Sequence, residues 1–417
     1  MRRSILLPAV VLLALASACA PTPAPGPSWH ATRFARSSTA TATVNTIGAW
    51  TDADWFATIR TTAPPGGAAT AELRVSPRTG PGGSTLGAPQ VVPLPDGLGA
   101  GPPTGEHVLA IAMFDGLHLY RPTGGTWGPA GTITLPPGYV LGAMTDRWLV
   151  LRHDPGAELV GDADLLVYAV DTSGPTVTAT LATTLQPDPT WSSGLREGFG
   201  AAVSLDGGLL AVTATPGASG GGPLVRIYRE QLGSWSAVQT IGDTVGLQRQ
   251  TGVMAVDDGP TVDRLVLSPF ITSLQTPAVD VWADSGAGFV PEQHLQLDTA
   301  LADASGGNVF GSSVAIEGDL LAVTSRSVTV PSAQGGHDPV TVGFVQLYRH
   351  GVAWAPEHEA GLYVSPYDAG VRTALPFRLQ AAAGHVAAAV LASLDEPPGC
   401  PFPCIAIGLE AWSLDRR

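Results

Sequence analysis

A fifteen-residue stretch that occurs twice constrains this chain more than any other feature. One copy is Phe199-Gly-Ala-Ala-Val-Ser-Leu-Asp-Gly-Gly-Leu-Leu-Ala-Val-Thr213, and the other is Phe310-Gly-Ser-Ser-Val-Ala-Ile-Glu-Gly-Asp-Leu-Leu-Ala-Val-Thr324. Each copy is followed by a second apolar–polar alternation, Leu224-Val-Arg-Ile-Tyr-Arg229 or Phe344-Val-Gln-Leu-Tyr-Arg349, and then by Trp235 or Trp354. Alternation of period two marks half-buried strands. Asp206-Gly207 and Gly318-Asp319 stand where a tight hairpin needs positive φ. Each unit therefore reads strand, turn, strand, loop, strand, turn, strand.

The copies start 111 residues apart, and Val253–Asp257, Arg264–Ser268 and Ala278–Trp282 form a third unit between them. Weaker copies occur at Trp55–Ile59, Val108–Ile111, Trp148–Leu151 and Val386–Val390. The second strands of the units begin near residues 55, 108, 148, 209, 265, 320 and 386, so the spacing is 40 to 66 residues, about one four-stranded sheet each. Sheets this small are not stable alone, and stacking them radially buries their faces. The expected fold is all-β: a seven-bladed β-propeller of four-stranded antiparallel blades. The blades fall near 46–97, 98–137, 138–190, 197–243, 250–298, 308–365 and 376–417. The last unit lacks its own fourth strand. Residues 29–45 are expected to supply it, through 29–36 or 39–45, which closes the ring and removes an open edge.

Composition agrees. Gly (51) and Pro (37) suit many turns, and the low charged content with 44% hydrophobic residues excludes a disordered chain. The formal net charge is −14, and all 21 basic residues are Arg. Such an acidic chain repels phosphate backbones, so nucleic acid is not an expected partner.

The N-terminus carries an export pattern. Arg2 and Arg3 precede an apolar run from Ile5 to Leu15, too short to span a bilayer. Leu15-Ala16-Ser17-Ala18-Cys19 follows and resembles the lipobox of bacterial lipoproteins, with Ala16 where Leu is commoner. The resemblance implies that residues 1–18 are a signal peptide and that Cys19 is lipidated, anchoring the protein outside the cytoplasm. Residues 19–28 alternate Pro with small residues and read as an extended stalk. Residues 29–417 form the propeller. Cys400 and Cys404, in Gly399-Cys-Pro-Phe-Pro-Cys404, are expected to form a disulfide in an oxidising compartment. A metal site there lacks a second ligand pair.

The unit pattern resembles the FG-GAP repeats of integrin-type propellers, through Phe199-Gly200, Phe310-Gly311 and the two Leu-Leu-Ala-Val-Thr runs. The likeness covers roughly residues 199–360. It implies extracellular binding or scaffolding through loops on one face. The family's Asp-x-Asp-x-Asp-Gly calcium loop has no complete copy. The nearest acids are Asp257-Asp258-Gly259 with Asp263, and Asp162 with Asp164, which read as turn caps and solvated loops. WD40 blades would show Trp-Asp, and sialidase blades would show Ser-x-Asp-x-Gly-x-x-Trp; neither occurs.

Motifs for chemistry are lacking. The nine His form no paired ligand spacing, and Glu357-His358-Glu359 alternates faces in a strand. Gly217-Ala-Ser219-Gly-Gly221 matches a nucleophile elbow in letters but lies between strands. Gly80-Pro-Gly-Gly-Ser84 has no Lys and no following helix for a phosphate. Trp191, Tyr139 and Tyr363 fall outside the repeat pattern and are candidates for exposed contacts. The expectation is a monomeric binding or scaffolding propeller without catalysis or cofactor, recognising a protein or glycan. Two alternatives remain: a glycan hydrolase or lyase with acids in the central funnel, and a structural subunit of an envelope complex.

Overall fold

The computed structural model describes residues 29–34, 37–39, 42–63, 70–95, 104–154, 162–215, 223–242, 251–269, 278–296, 310–330, 340–362, 371–394 and 407–416. Within them the chain forms seven antiparallel blades arranged as a β-propeller. The second strands begin at Trp55, Leu109, Trp148, Leu209, Asp263, Leu320 and His385. Each lies within two residues of the start expected from the repeats. Gly207 and Gly318 have φ of 50° and 56°, as the hairpin reading requires.

The last blade takes its outer strand from the N-terminus. Trp29–Phe34 pairs antiparallel with Ile407–Arg416, from Trp29↔Arg416 to Phe34↔Ala411. The other segment considered for that place, 39–45, does not join the last blade. Ala42–Thr51 is the inner strand of the first blade and pairs with Trp55–Ala63, while Ser37–Thr39 pairs with it as an extra edge. Ala49 and Trp50, near the end of this strand, are both buried, as an inner strand requires.

The repeated aromatic of the third strand has a structural reason. In the second to sixth blades, pairing of the third with the outer strand shifts register at Tyr120, Tyr168, Tyr228, Trp282 and Tyr348. One extra outer-strand residue is accommodated there, a β-bulge that bends the edge. Pro129, Pro291 and Pro356 face three of these aromatics. Proline is tolerated at a bulged edge, where no ladder donor is needed.

The core is divided among the blade interfaces. Six apolar clusters, of nine to twelve buried residues each, join successive blades from the first to the seventh. The interface between the seventh and first blades is different. Among the described residues its apolar cluster has three buried members, Ala49, Phe56 and Ala387. A polar network completes it. Arg78, on the third strand of the first blade, meets Asp415, on the third strand of the seventh, at 2.5 Å, and both side chains are 0% exposed. Arg78 also donates to the Thr51 hydroxyl and to the carbonyl of Asp52 (3.1 Å), and lies over the Phe56 ring. Asp415 accepts from the Ser413 hydroxyl at 3.0 Å and lies 3.0 Å from His385 Nδ1. The Ser413 hydroxyl binds the aspartate and not the imidazole, and all three groups are buried, so this trio is structural. Gly83 has φ 69°, and a Cβ there would stand 3.1 Å from His385 Nε2, so this turn needs glycine.

Removing one partner of a buried ion pair strands the other charge and costs about 3–5 kcal/mol. Asp415→Ala is therefore expected to lower the unfolding free energy by about that much, measured by urea denaturation. Arg78→Met combined with Asp415→Leu should recover most of the loss. A single-variant loss no larger than that of a control at a half-exposed, long ion pair such as Arg60→Gln would show that the seam does not depend on the pair.

Candidate functional site

The inner strands of all seven blades line a central channel of about 770 Å³. Its wall is mostly small or apolar, as at Gly142, Ala143, Ala201, Ala255, Ala315 and Ala381. Small side chains are required because seven backbones converge on one axis.

At one end each inner strand turns into the second strand of its blade, and these turns carry acids: Asp52, Glu106, Asp146, Asp206, Asp257 with Asp258, and Glu317. The seventh blade has Ala383 there. Most of these carboxylates reach across to the next blade and accept backbone N–H groups. Glu106 accepts from Asp146 (3.2 Å), and Asp146 accepts from Val108 (2.9 Å). Asp206 accepts from Asp258 (2.7 Å), and Asp258 returns the contact by accepting from Gly208 (2.6 Å). Gly207 beside it has no room for a Cβ, which would lie 2.4 Å from Asp258 Oδ2. Asp257 accepts from Gly318 (3.0 Å), and Glu317 from Ala383 and Gly384. The remaining interfaces are stitched by Gln380 accepting from Thr51 N–H (3.2 Å), Trp50 donating to Gly105 O (2.6 Å), and the Arg147–Glu230 ion pair (3.5 Å). The result is a closed collar of inter-blade contacts around the channel mouth.

Burial raises the carboxyls of Asp52, Glu106, Asp206 and Asp257 above their usual range, and neighbouring acids add to it. Glu317 is pushed furthest, up to about 7, by burial and then by Asp257 and Asp206. Backbone donors only partly offset this. Among the described residues, one set of His and acids brings its donor atoms within 4.8 Å of one another: Glu106, His107 and Asp146. Its atoms are already engaged, His107 Nδ1 with Asp146 Oδ2 at 2.8 Å and the carboxylates with backbone amides. Burial opposes a charged His107, but Asp146, Asp52 and Glu106 outweigh it and raise its pKa.

The other residues singled out in the sequence are placed as follows. Cys19, Cys400, Cys404, Ser219 and Tyr363 lie outside the described residues. Asp263 pairs with Arg229, which also binds Asp284 (2.9 Å). Asp162 pairs with Arg196 (3.2 Å). Asp164 accepts from the Tyr139 hydroxyl (2.5 Å) and lies 3.0 Å from His153, whose ring stacks on Tyr139. Trp191 packs on Phe199 and under the Arg226 guanidinium, so it serves packing. Glu357 binds Arg349 and Arg416, while Glu359 accepts from Ser325 (2.8 Å), so the Glu357-His358-Glu359 run divides its contacts. Asp257 and Asp258, read from the sequence as local turn caps in solvated loops, instead accept amides of turns in the neighbouring blades, and Asp257 is buried. Their sequence context does not show that the turns of six blades form one collar. Glu106-His107 and the Asp-Gly or Glu-Gly pairs at equivalent turns are the signal that could have pointed to it.

No protein-family model and no curated protein matches the chain. Several solved structures are similar to it at low identity. The β-propeller domain of the Trilobed protease from Pyrococcus furiosus is 10% identical, with 85% of this chain and 94% of that one covered and a TM-score of 0.42. Hsv2 from Kluyvelomyces marxianus is 7% identical (84% and 92% covered, TM-score 0.45). The acylaminoacyl peptidase of Pyrococcus horikoshii is 9% identical (TM-score 0.43); 84% of this chain is covered, and it spans 50% of that protein's length.

The raised carboxyl of Glu317 has a signed consequence. In the unfolded chain it titrates near 4.5, and in the folded protein near 7. Between those values the folded state binds more protons, so its contribution to stability is full at low pH and is lost as pH rises through 7. Stability of the wild type is expected to fall between about pH 5 and 8, and Glu317→Gln should flatten that fall. Urea midpoints at the two pH values check this.

Proposed function

We propose that this protein is an exported propeller, anchored outside the cytoplasm by lipid on Cys19, that binds a protein or glycan ligand and does no chemistry of its own. The propeller fold is compatible with binding or scaffolding. The observation that carries the reading is the use made of the collar acids. Most are committed to backbone amides of the neighbouring blade, which holds the ring together and leaves them poorly placed to exchange protons with a substrate. The Leu15–Cys19 run and the Pro-rich stalk support the anchor, and the repeated Phe-Gly and Leu-Leu-Ala-Val-Thr segments support kinship with FG-GAP propellers. A bridge between Cys400 and Cys404 fits that compartment.

Capture of a saturable ligand from a glycan array or by pull-down tests the binding reading; a chain that captures nothing above a denatured control would sink it. Mass spectrometry of the mature protein tests the anchor. Acyl mass on Cys19 as the first residue is expected, and an unmodified Cys19 or cleavage elsewhere overturns it.

One observation favours a second reading, a glycan hydrolase or lyase. A carboxyl titrating near 7 is what a general acid requires, and Glu317 lines the channel beside Asp206 and Asp257. If that reading holds, the protein degrades a member of a polysaccharide panel and Glu317→Gln lowers turnover by about a hundredfold or more. Absence of any Glu317-dependent turnover leaves binding as the function.

A further inference from the structure

Charge in the channel is separated along its axis. The acids occupy one mouth. Arg152 and Arg378 also line the cavity, but further in. Arg378 lies five residues before Ala383 on the inner strand of the seventh blade, and Arg152 pairs with Val140, five residues before Thr145 on the inner strand of the third. At about 3.3 Å per strand residue, both backbones stand about 16 Å from the collar.

Arg378 is unusual among the charged groups of this chain. Most arginines of the described residues sit against a carboxylate, as Arg78, Arg229, Arg264 and Arg349 do. Among the described residues, Arg378 has one hydrogen-bond partner, the neutral hydroxyl of Thr104 in the second blade, at 2.9 Å. It therefore reaches past the first blade to that contact. Burial lowers its pKa, and no described acid acts against this. A guanidinium carries five N–H donors, and among the described residues one of them is engaged, while Arg378 lines the cavity. The side chain is half-buried in the cavity wall, and a cation there with no described carboxylate beside it is less well solvated than one on the surface. The collar acids do not offset it.

We infer that Arg378 and Thr104, with Arg152 lining the same cavity, form an oxyanion-binding site inside the channel, which takes the carboxylate or phosphate group of a ligand. A planar guanidinium fixed at one end by Thr104 presents paired donors at the spacing of two oxyanion oxygens. The acids at the mouth repel free anions, so the site is reached against that field unless a ligand also carries positive or neutral groups. The site rests on the binding reading above and specifies the chemistry of the ligand.

Titration calorimetry of the full chain tests the site, with acetate, glucuronate, inorganic phosphate and sulfate as sodium salts, at constant ionic strength and with chloride as the reference. Saturable binding of at least one probe is expected. Arg378→Gln should weaken it about tenfold or more, Arg378→Lys less, and Arg60→Gln, at an ion pair that does not line the cavity, not at all. Preference for acetate and glucuronate assigns a carboxylate ligand, and preference for phosphate and sulfate assigns a phosphate. Should Arg378→Gln fail to fold, Arg378→Lys and an anion-dependent shift of the Arg378 Nε–H resonance decide the question. No saturable binding at millimolar probe, or binding unchanged in the Arg378 variants, overturns the site. If ligand capture persists while anion binding is absent, this inference fails and the binding reading stands.

Discussion

Everything in a propeller depends on closing the ring, and here a buried ion pair spans the closing interface. Among the described residues, six of the seven interfaces bury nine to twelve apolar residues each, and the seam between the seventh and first blades buries Ala49, Phe56 and Ala387. The Arg78–Asp415 pair lies buried in that seam, with Thr51, Ser413 and His385 bonded to it. A buried pair is an expensive way to join two surfaces unless its hydrogen bonds are complete. Its merit is direction. Apolar faces of neighbouring blades resemble one another, so they do not by themselves specify which blade meets which. An arginine in the first blade and an aspartate in the last meet in one arrangement only.

The collar applies the same logic at the other interfaces, with backbone amides in place of arginines. Its acids and Asp415 respond oppositely to pH. Burial pushes Asp415 upward, but His385, Arg78 and Ser413 outweigh it and hold its carboxyl below the usual value. The seam is therefore strongest above the ordinary aspartate range and weakens as pH falls. Glu317, Asp257, Asp206 and Glu106 are raised, so the collar favours lower pH. Between the two, mild acidity suits the ring best.

Most of the architecture was legible because strand patterns repeat locally. Leu-Leu-Ala-Val-Thr and the Tyr-Arg endings carry their meaning within a few residues, and each blade could be placed from them. What sequence left open was decided by pairing over long range. Either 29–36 or 39–45 could finish the last blade on pattern alone; the fold uses Trp29–Phe34 and gives Ala42–Thr51 to the first blade. The seam joins residues 337 apart, and no local pattern links Arg78 to Asp415. The collar was hidden differently. Each acid looked like an ordinary turn residue, and only the ring shows that the turns of six blades surround one opening.

That opening also explains why residues with chemical potential were hard to assign. A propeller axis concentrates whatever the inner strands carry, so acids become neighbours there for structural reasons. Raised carboxyl pKa values follow from crowding and burial, whether or not a proton is ever passed to a substrate. Most collar acids have a structural role that accounts for their position, since an oxygen of each holds an amide of an adjacent blade, and Asp52 holds amides of its own turn. Arg378 has no comparable role. It joins no carboxylate among the described residues, and its one hydrogen bond there reaches past the first blade to a hydroxyl. A charge that the fold does not use is a better guide to a ligand than many charges that it does.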